Sequence, residues 1–347
     1  MPPRDGALSR RDFLKLSGLG LLSLEALPGL PLGSLFQDVF EAQQGRVTAR
    51  LIWTYDRPSL LAGRVRFYWR DTVLPITNVT VNEDDQQAYN RVWYQVGESE
   101  FAYSGNLQPV RTLLNTPSLT IPAAGVLAEV SVPYTDAHEG IDERSRVAYR
   151  AYYETIHWVE AVLSTPDGSV WYRILDDKWN KLYYVPAAHL RLLPPDELAP
   201  LSPDVPEAEK RILVKLDDQL VFAYEGSTPV FAARAATGGI FRTGTYSTPI
   251  GSFMTYHKRP TRHMAAGDLT AGGFDLAGVP WVMYLTESGI SIHGTFWHND
   301  FGRPRSHGCI NLTPAASKWF FRWTTPVVGP DALFAYQPKG TTVEIQK

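Results

Sequence analysis

Residues 306–312 carry the side chains of this chain that are best suited to covalent chemistry. The run S-H-G-C-I-N-L contains the only cysteine of the sequence, Cys309, two positions after His307. An ordinary thiol has a pKa near ~8.5 and is mostly protonated at neutral pH, so a histidine that stabilises the thiolate makes the sulfur a better nucleophile. Gly308 leaves room for a carbonyl substrate and leaves nearby backbone N–H groups free to stabilise an oxyanion. Together these residues indicate acyl transfer.

A second histidine stands sixteen positions before the cysteine, at 293 against 309. Residues 290–295 alternate apolar and polar side chains and are rich in β-branched residues, which predicts a strand that ends near His293. His307 is nearer to Cys309 in sequence, but adjacent residues of a strand point to opposite faces, so this nearness does not ensure contact. Either histidine could therefore act as the base.

Three motifs in the C-terminal part of the chain resemble those of the L,D-transpeptidase family. The family carries T-P-x-G-x-F, then H-G, then S-H-G-C followed by an apolar residue and Arg or Asn. This chain has T-P-I-G-S-F at 248–253, H-G at 293–294 and S-H-G-C-I-N at 306–311. The resemblance implies a C-terminal β-sandwich of the L,D-transpeptidase type, with a short helix after the cysteine.

The resemblance also implies roles for individual residues. Cys309 is expected to be the nucleophile and His293 the general base, with the carbonyl of Gly294 orienting the imidazole. His307, Gly308 and Cys309 are expected to supply backbone N–H donors to the oxyanion. Residues near the motifs are expected to contact the substrate: Ser306, Asn311, Arg305, Thr295 and Tyr284.

The reaction that the resemblance implies is peptidoglycan cross-linking. Cys309 attacks the carbonyl between the third and fourth residues of a tetrapeptide stem, expels D-alanine and holds the acyl group as a thioester. The side-chain amine of a second stem's diamino acid then attacks, which regenerates the thiol and links two third residues. Water as the acceptor would make the enzyme an L,D-carboxypeptidase. The expected partners are stem peptides, and carbapenem-type inhibitors are expected to acylate the cysteine.

Other functions use some of the same residues. His293, His298, His307 and Cys309 are ligand types that zinc binds, but the spacing shows no paired C-x-x-C or H-E-x-x-H motif, and a metal would occupy the reactive sulfur. We therefore expect no metal and no cofactor. A cysteine peptidase or amidase of another fold would place its cysteine before its histidine, the reverse of the order here. A non-catalytic wall-binding protein is the remaining alternative, against which the complete set of motif residues argues.

Length and composition bound the architecture. A chain of 347 residues with 44% hydrophobic residues predicts two or three domains with packed cores. The 27 glycines, 26 prolines and 12% aromatic residues favour a mainly β protein with many turns and few helices. A net charge of −3 argues against a nucleic-acid-binding protein. A single cysteine excludes an intramolecular disulfide.

The N-terminus resembles a twin-arginine export signal. An arginine pair, Arg10 and Arg11, precedes an apolar run from Leu16 to Leu24, the order that is typical of such signals. We therefore expect the mature protein in the cell envelope, the periplasm or the cell wall.

The region before the predicted catalytic domain contains an internal repeat. V-W-Y-Q-V at 92–96 recurs as V-W-Y-R-I at 170–174, and an aromatic pair precedes each copy, which predicts two small β-barrels similar to bacterial SH3-like modules. A stretch rich in Pro, Asp and Glu follows and predicts a stiff linker. The predicted units are a signal and linker at 1–45, barrels at 46–118 and 119–194, the Pro-rich linker at 195–209 and the catalytic domain at 210–347.

The tryptophans of the predicted barrels allow two interpretations. They either line a groove that binds cell-wall glycan strands or peptide, or they fill the barrel cores, as aromatic residues of small barrels more often do. The residues concerned are Trp53, Trp69, Trp93, Trp158, Trp171 and Trp179.

Two local patterns of the C-terminal part predict further structure. Residues 256–279 contain several glycines and predict an irregular segment, either a flap over the cleft or a plain surface excursion, with His257 and His263 in solvent. Thr313 and Pro314 predict a capped helix N-terminus, and the helix is expected to extend to Trp323.

Overall fold

The protein is mainly β, which confirms the predicted fold class. The computed structural model describes residues 44–85, 87–241, 244–267 and 273–347. Within these ranges one α-helix is present, α1 (Pro314–Trp323), and no helix is long and apolar enough to cross a membrane. The predicted export signal with Arg10 and Arg11 lies outside the described residues.

Residues 44–110 form eight strands, which alternate with tight turns. They are β1 Gln44–Val47, β2 Leu51–Tyr55, β3 Arg64–Trp69, β4 Val73–Pro75, β5 Asn78–Val81, β6 Val92–Gly97, β7 Glu100–Tyr103 and β8 Leu107–Val110. A three-stranded sheet has the order β4-β1-β8, and a five-stranded sheet has the order β3-β2-β7-β6-β5. Apolar residues of both sheets, such as Val47, Tyr94 and Leu107, share one buried core.

Residues 126–192 form a second group of strands, in one seven-stranded sheet. They are β9 Val126–Val130, β10 Tyr134–His138, β11 Val147–Tyr152, β12 Ile156–Ser164, β13 Val170–Asp176, β14 Lys181–Pro186 and β15 Leu190–Leu192. The order across the sheet is β11-β10-β14-β13-β12-β9-β15. The two groups fall on either side of the predicted boundary at 118/119, and their identification as SH3-like modules stays a prediction.

Three of the six tryptophans named above belong to the cores of these strand groups. Trp93, Trp158 and Trp171 are buried, whereas Trp69 and Trp179 are each 55% exposed. The core interpretation therefore holds for the buried three. Glycan binding by the exposed ones stays a prediction.

The predicted linker packs against its neighbours along its length. It contains two short 3-10 helices, Pro195–Leu198 and Glu207–Glu209. Leu198 lies in the core of the C-terminal part, and the Glu197 carboxylate bonds both Arg191 and Lys318. The segment therefore joins the second strand group to α1 as a packed connection.

The C-terminal part contains twelve strands. They are β16 Lys210–Lys215, β17 Leu220–Glu225, β18 Thr228–Arg234, β19 Ile240–Phe241, β20 Gly244–Thr245, β21 Gly251–Met254, β22 His257–Ala266, β23 Phe274–Tyr284, β24 Ser291–Gly294, β25 Ile310–Leu312, β26 Ala335–Tyr336 and β27 Thr342–Gln346. Two five-stranded sheets have the orders β18-β17-β16-β27-β21 and β25-β24-β23-β22-β26, and β19 pairs with β20.

The two five-stranded sheets and α1 bury one continuous hydrophobic core, which makes this part a β-sandwich. Val214 and Val343 come from one sheet, Met283 and Ile310 from the other, and Phe320 from the helix. The N-terminus of α1 is capped as predicted, because the Thr313 side chain accepts the Ala316 N–H and Pro314 occupies the first turn. The helix therefore starts five residues after Cys309 and packs against the sheet that contains β25.

Residues 257–284 differ from the predicted irregular segment. Strands β22 and β23 form a long antiparallel pair from His257↔Tyr284 to Ala266↔Phe274, with a register shift between Arg262 and Met264. The expectation that both histidines are solvated is wrong for His263, which is 5% exposed. Its two ring nitrogens bond the carboxylates of Asp176 and Asp275, so it connects the second strand group to this strand pair. Sequence periodicity could not reveal this contact, because Asp176 is 87 residues away.

The charge of His263 makes the stability of this connection depend on pH. Burial lowers the pKa of His263, but its bonds to Asp176 and Asp275 raise it more, so the folded pKa lies above the ordinary value. The His263 contribution is therefore fully present below about pH 6.5 and is lost as the pH rises through the folded pKa. We expect His263→Gln to lower the free energy of unfolding by about 1–3 kcal/mol below pH 6.5 and by less at higher pH, measured by urea denaturation.

A matched control lies six residues away on β22. Burial and two nearby arginines lower the pKa of His257, so its protonation destabilises the folded protein at low pH. The effect of His257→Gln should therefore become more favourable as the pH falls, the opposite sign to His263→Gln. A His263→Gln effect that stays constant with pH would contradict the charged interaction.

The N-terminal strand groups pack closely on the sandwich. Leu127, Ile156 and Trp158 belong to the same buried core as the sandwich residues. The Arg46 guanidinium donates to the Phe296 carbonyl at 2.7 Å, across 250 residues of chain, and the Tyr103 hydroxyl donates to the Asp300 carboxylate at 2.6 Å. Residues 44–110 are thus attached next to the segment that connects β24 with β25.

Candidate active site

The parallel pairing of β24 with β25 places Cys309 next to His293. The register aligns Ile292 with Ile310 and His293 with Asn311, so Cys309 stands immediately before the paired residues. Its sulfur lies 3.7 Å from the Ser291 hydroxyl and 3.7 Å from the Gly289 carbonyl oxygen. The thiol is partly buried, at the edge of a cavity.

A backbone contact orients the His293 imidazole. Its Nδ1 lies 3.0 Å from the Gly294 carbonyl oxygen, which is the contact that the resemblance implies. Since a carbonyl can only accept, Nδ1 carries the proton and Nε2 is left as the acceptor for the thiol proton. The imidazole is thereby held in the tautomer that a general base requires. Its catalytic role stays a prediction.

The surroundings of Cys309 favour the thiolate. Burial raises the pKa of the thiol, but the hydrogen bond to His293, the charge of that ring and hydrogen bonds from Ser291 lower it more. The net pKa therefore lies below the ordinary value, as a reactive cysteine requires. Sequence reasoning did not identify Ser291, whose position two residues before His293 on a strand was the available signal.

The turn before Cys309 is stabilised by two hydroxyl groups. Ser306 Oγ donates to the Cys309 carbonyl at 2.5 Å and accepts the Gly308 N–H at 3.1 Å. Thr248, from the T-P-I-G-S-F motif, donates to the Gly308 carbonyl at 2.9 Å. Gly308 has φ +109°, and a Cβ there would lie 2.8 Å from the Ile290 side chain, so a glycine is needed.

These contacts correct one of the sequence predictions. Ser306 was expected to contact the substrate; it lines the cavity and its hydroxyl bonds the backbone of the turn at Cys309, so this expectation stays a prediction. The Gly308 N–H is already donated to Ser306, so it is not the free oxyanion donor that was expected. The physical reason is that the left-handed conformation of Gly308 directs its N–H back towards the preceding serine.

His307 lies apart from the thiol contacts. Its side chain is exposed and stacks on Phe241, with ring centroids 4.5 Å apart and planes 11° apart, while Tyr246 packs on its edge. Partial burial lowers the pKa of His307. The ring lines the cavity next to Cys309, so its position suits contact with substrate better than removal of the thiol proton.

Asn311 belongs to a buried polar chain behind the thiol. Its amide lies 3.1 Å from His298 Nε2, and the Asp300 N–H donates to His298 Nδ1 at 3.2 Å. Burial lowers the pKa of His298 to about 3, so this ring is neutral. With Nδ1 accepting, Nε2 carries the proton and needs an acceptor, which requires the Asn311 amide oxygen to face it and its NH₂ group to face away. Arg305 extends the chain by donating to Asp300 at 3.0 Å.

The remaining predicted substrate residues divide into two groups. Asn311 and Arg305 line the cavity that contains Cys309, whereas Thr295 and Tyr284 are not among its lining residues. Tyr284 instead stacks on His257, with ring centroids 5.0 Å apart, because the two residues are paired across β22 and β23. Substrate contact by Tyr284 and Thr295 stays a prediction, which the lining of this cavity does not support.

The candidate metal ligands do not form a metal-binding cluster in the described structure. In the part of the chain that the structure describes, no group of three or more His, Cys, Asp or Glu side chains is arranged to hold a metal ion. His298, the candidate zinc ligand, is buried and bonded to Asn311 and Asp300.

The cavity next to Cys309 is about 560 Å³ and lies between the sandwich and both N-terminal strand groups. The sandwich contributes Cys309, His293 and Trp297, and its strand β23 contributes Phe274. The sequence analysis did not predict that the N-terminal strand groups supply a wall of this cavity. Local sequence patterns carry no signal for contacts between residues more than a hundred positions apart. The residues of this wall are Arg46, Thr48, Arg70, Tyr149, Arg150 and Tyr152.

Comparison with known proteins identifies the C-terminal part. Residues 209–345 match the family model of YkuD, the L,D-transpeptidase catalytic domain, which confirms the resemblance found in the motifs. The match covers the sandwich with α1, Cys309 and His293. No curated protein sequence matches the chain.

Solved L,D-transpeptidase structures are also similar to parts of the chain. The catalytic domain of an Enterococcus faecium L,D-transpeptidase is 22% identical over 40% of this chain and 96% of its own, with a TM-score of 0.31. An L,D-transpeptidase of Xylanimonas cellulosilytica is 25% identical over 40% of this chain and 60% of its own, with a TM-score of 0.29. L,D-transpeptidase 3 of Mycobacterium tuberculosis, solved with a faropenem-derived adduct, is 15% identical over 56% of this chain and 91% of its own, with a TM-score of 0.32.

Proposed function

We propose that this protein is a peptidoglycan L,D-transpeptidase of the cell envelope, in which Cys309 carries the acyl group. The observation that carries the proposal is the arrangement of the Cys309 thiol and the His293 imidazole across the β24–β25 pair, with Nδ1 bonded to the Gly294 carbonyl. The family match at residues 209–345 supports the reaction class.

Acylation begins with transfer of the thiol proton to His293 Nε2. The thiolate attacks the carbonyl between the third and fourth residues of a donor tetrapeptide stem, and a tetrahedral oxyanion forms. In the described part of the chain the backbone N–H groups of His307 and Cys309 have no acceptor, so these two are the proposed oxyanion donors. Collapse breaks the peptide bond, His293 returns the proton to the departing D-alanine amine, and a thioester remains.

Deacylation repeats these steps with an amine acceptor. The side-chain amine of the third residue of a second stem attacks the thioester carbonyl, and His293 accepts the proton that this amine loses. The carbon–sulfur bond breaks, the thiol is regenerated, and an amide bond joins the two third residues. Attack by water would instead release a tripeptide, which is the carboxypeptidase outcome.

The proposal is tested by incubating the purified protein with a stem tetrapeptide, with and without an amine acceptor stem. Intact-mass spectrometry should show an adduct of the tetrapeptide less D-alanine, and the product mixture should contain a cross-linked dimer when acceptor is present. A carbapenem should give a stable adduct on the same residue. Tripeptide as the sole product in both mixtures would identify a carboxypeptidase. Absence of any adduct or product would contradict the proposal and favour a wall-binding protein.

A further inference from the structure

A row of aromatic rings connects the reactive centre with the N-terminal strand groups. The His293 ring lies 5.7 Å from Trp297, Trp297 lies 5.1 Å from Phe296, and Phe296 stacks on Tyr152 of β11 at 5.3 Å. The Arg46 guanidinium carbon lies over the Tyr152 ring, 4.1 Å from its centroid. One continuous wall of the cavity therefore extends from the thiol to arginines of the first 150 residues.

Three arginines form the end of this wall that is remote from the thiol. They are Arg46, Arg70 and Arg150, and together they are called the arginine wall. Two of them are neutralised locally. Asp71 bonds Arg46 through one oxygen at 3.0 Å and Arg150 through the other at 3.1 Å. Asp136 also bonds Arg150, at 2.8 Å. The arginine wall thus sets three positive charges against two carboxylates.

Arg70 is the member of the arginine wall that has no carboxylate partner among the described residues. It follows β3, where its backbone N–H donates to the Arg50 carbonyl, and its exposed side chain lines the cavity. Both oxygens of the adjacent Asp71 are engaged by Arg46 and Arg150. Among the described residues Arg70 has no carboxylate within ion-pair distance, although arginine suits planar, bidentate binding of a carboxylate.

We propose that Arg70 binds an internal carboxylate of the donor stem peptide, so that the N-terminal strand groups determine which donors the enzyme accepts. This inference rests on the proposed function for the identity of the ligand. Arg70 and Cys309 line the same cavity, and the Arg70 side chain is exposed to it. A stem acylated on Cys309 therefore occupies the cavity into which Arg70 presents its charge.

The charge of the whole cavity agrees with an anionic ligand. Among the described lining residues there are four arginines and one aspartate, Asp275, whose carboxylate bonds His263. Arg46, Arg150 and Arg305 are paired with Asp71, Asp136 or Asp300, so the positive charge that is left to attract an anionic ligand is that of Arg70. Binding at the exposed Arg70 should weaken as salt is added, because an exposed ion pair is screened.

The test measures binding without chemistry, in the full chain with Cys309→Ala. Isothermal titration calorimetry compares a stem tetrapeptide that has free internal carboxylates with the same peptide amidated at those positions. Arg70→Ala should raise the Kd of the free-carboxylate peptide about three- to fivefold, Arg70→Glu should raise it about tenfold, and Arg70→Lys should retain part of the affinity. The Kd of the amidated peptide should not change in any of these variants.

Arg66→Ala is the matched control. Arg66 is an exposed arginine on β3, outside the cavity, and lies 3.7 Å from Glu100. Its substitution removes the same charge from the same sheet and should leave the Kd unchanged. The Arg70 variants should keep the thermal midpoint of the parent protein, because Arg70 is exposed and makes no side-chain ion pair in the described structure.

Each result decides the inference. Equal effects of Arg70→Ala on both peptides, or an equal effect of Arg66→Ala, would overturn it, and so would a tetrapeptide that does not bind. Arg70-dependent binding of the free-carboxylate peptide would establish the site. If the protein with Cys309 intact were then never acylated, the proposed function would fail while the carboxylate site would stand.

Discussion

A Cys309→Ala variant is expected to form no acyl-enzyme with a stem tetrapeptide or a carbapenem, and its cross-linking rate should fall on the order of 10⁶-fold. The sequence contains no second thiol that could substitute, and the sulfur is the atom that must form the covalent bond. Removal of the nucleophile of an acyl-transfer enzyme has effects of this size. Intact-mass spectrometry and separation of peptide products measure both quantities.

The same variant separates loss of chemistry from loss of structure. Cys309 is partly buried, and alanine removes a single sulfur atom, so the free energy of unfolding should change by no more than about 1–2 kcal/mol. A Cys309→Ala protein that folds normally and still gives an adduct would show that another residue is the nucleophile. A variant that fails to fold would be replaced by Cys309→Ser, which preserves the side-chain shape.

The second large effect is expected for His293→Ala, which should slow acylation about 10²- to 10⁴-fold. In the proposed mechanism the imidazole accepts the thiol proton, and its hydrogen bond and charge also lower the pKa of Cys309. Without it, burial continues to raise that pKa, so the variant should hold less thiolate at neutral pH. The rate of alkylation by iodoacetamide, measured against pH, should have a higher midpoint in His293→Ala than in the unmodified protein, and the two rates should converge at high pH.

His307→Ala is the control for this assignment, because it removes a histidine two positions from the nucleophile. The His307 ring stacks on Phe241 and makes no contact with the sulfur among the described side-chain bonds. Its alkylation midpoint should therefore match that of the unmodified protein, and any loss of activity should appear in KM for the donor. If His307→Ala moves the midpoint and His293→Ala does not, the base is His307.

The N-terminal strand groups change how the active site is understood. From sequence they are predicted to be small modules before a linker, whose tryptophans either bind cell-wall glycan or peptide or fill the barrel cores. In the structure the second group shares a hydrophobic core with the sandwich, and both groups contribute to a wall of the cavity that contains Cys309. A catalytic domain excised at the predicted linker would lose Arg70, Arg150 and Tyr152 from that cavity, so donor binding should be studied in the full chain.

Local sequence determined the reaction class, the mainly β architecture and several elements of the C-terminal part. The motifs containing His293 and Cys309 indicated the L,D-transpeptidase catalytic domain, and the Thr313-Pro314 cap marked the start of α1. These features could be predicted because strand alternation, turn residues and helix caps depend on neighbours a few positions away.

Only the tertiary structure decided which groups meet. It places His293, rather than His307, next to the sulfur through a parallel strand pair, and it engages the Gly308 N–H with Ser306. It buries His263 between two carboxylates, and it places Arg70 in the same cavity as Cys309. These outcomes depend on the pairing and packing of segments up to 250 residues apart, and residue types and spacing carry no information about such contacts.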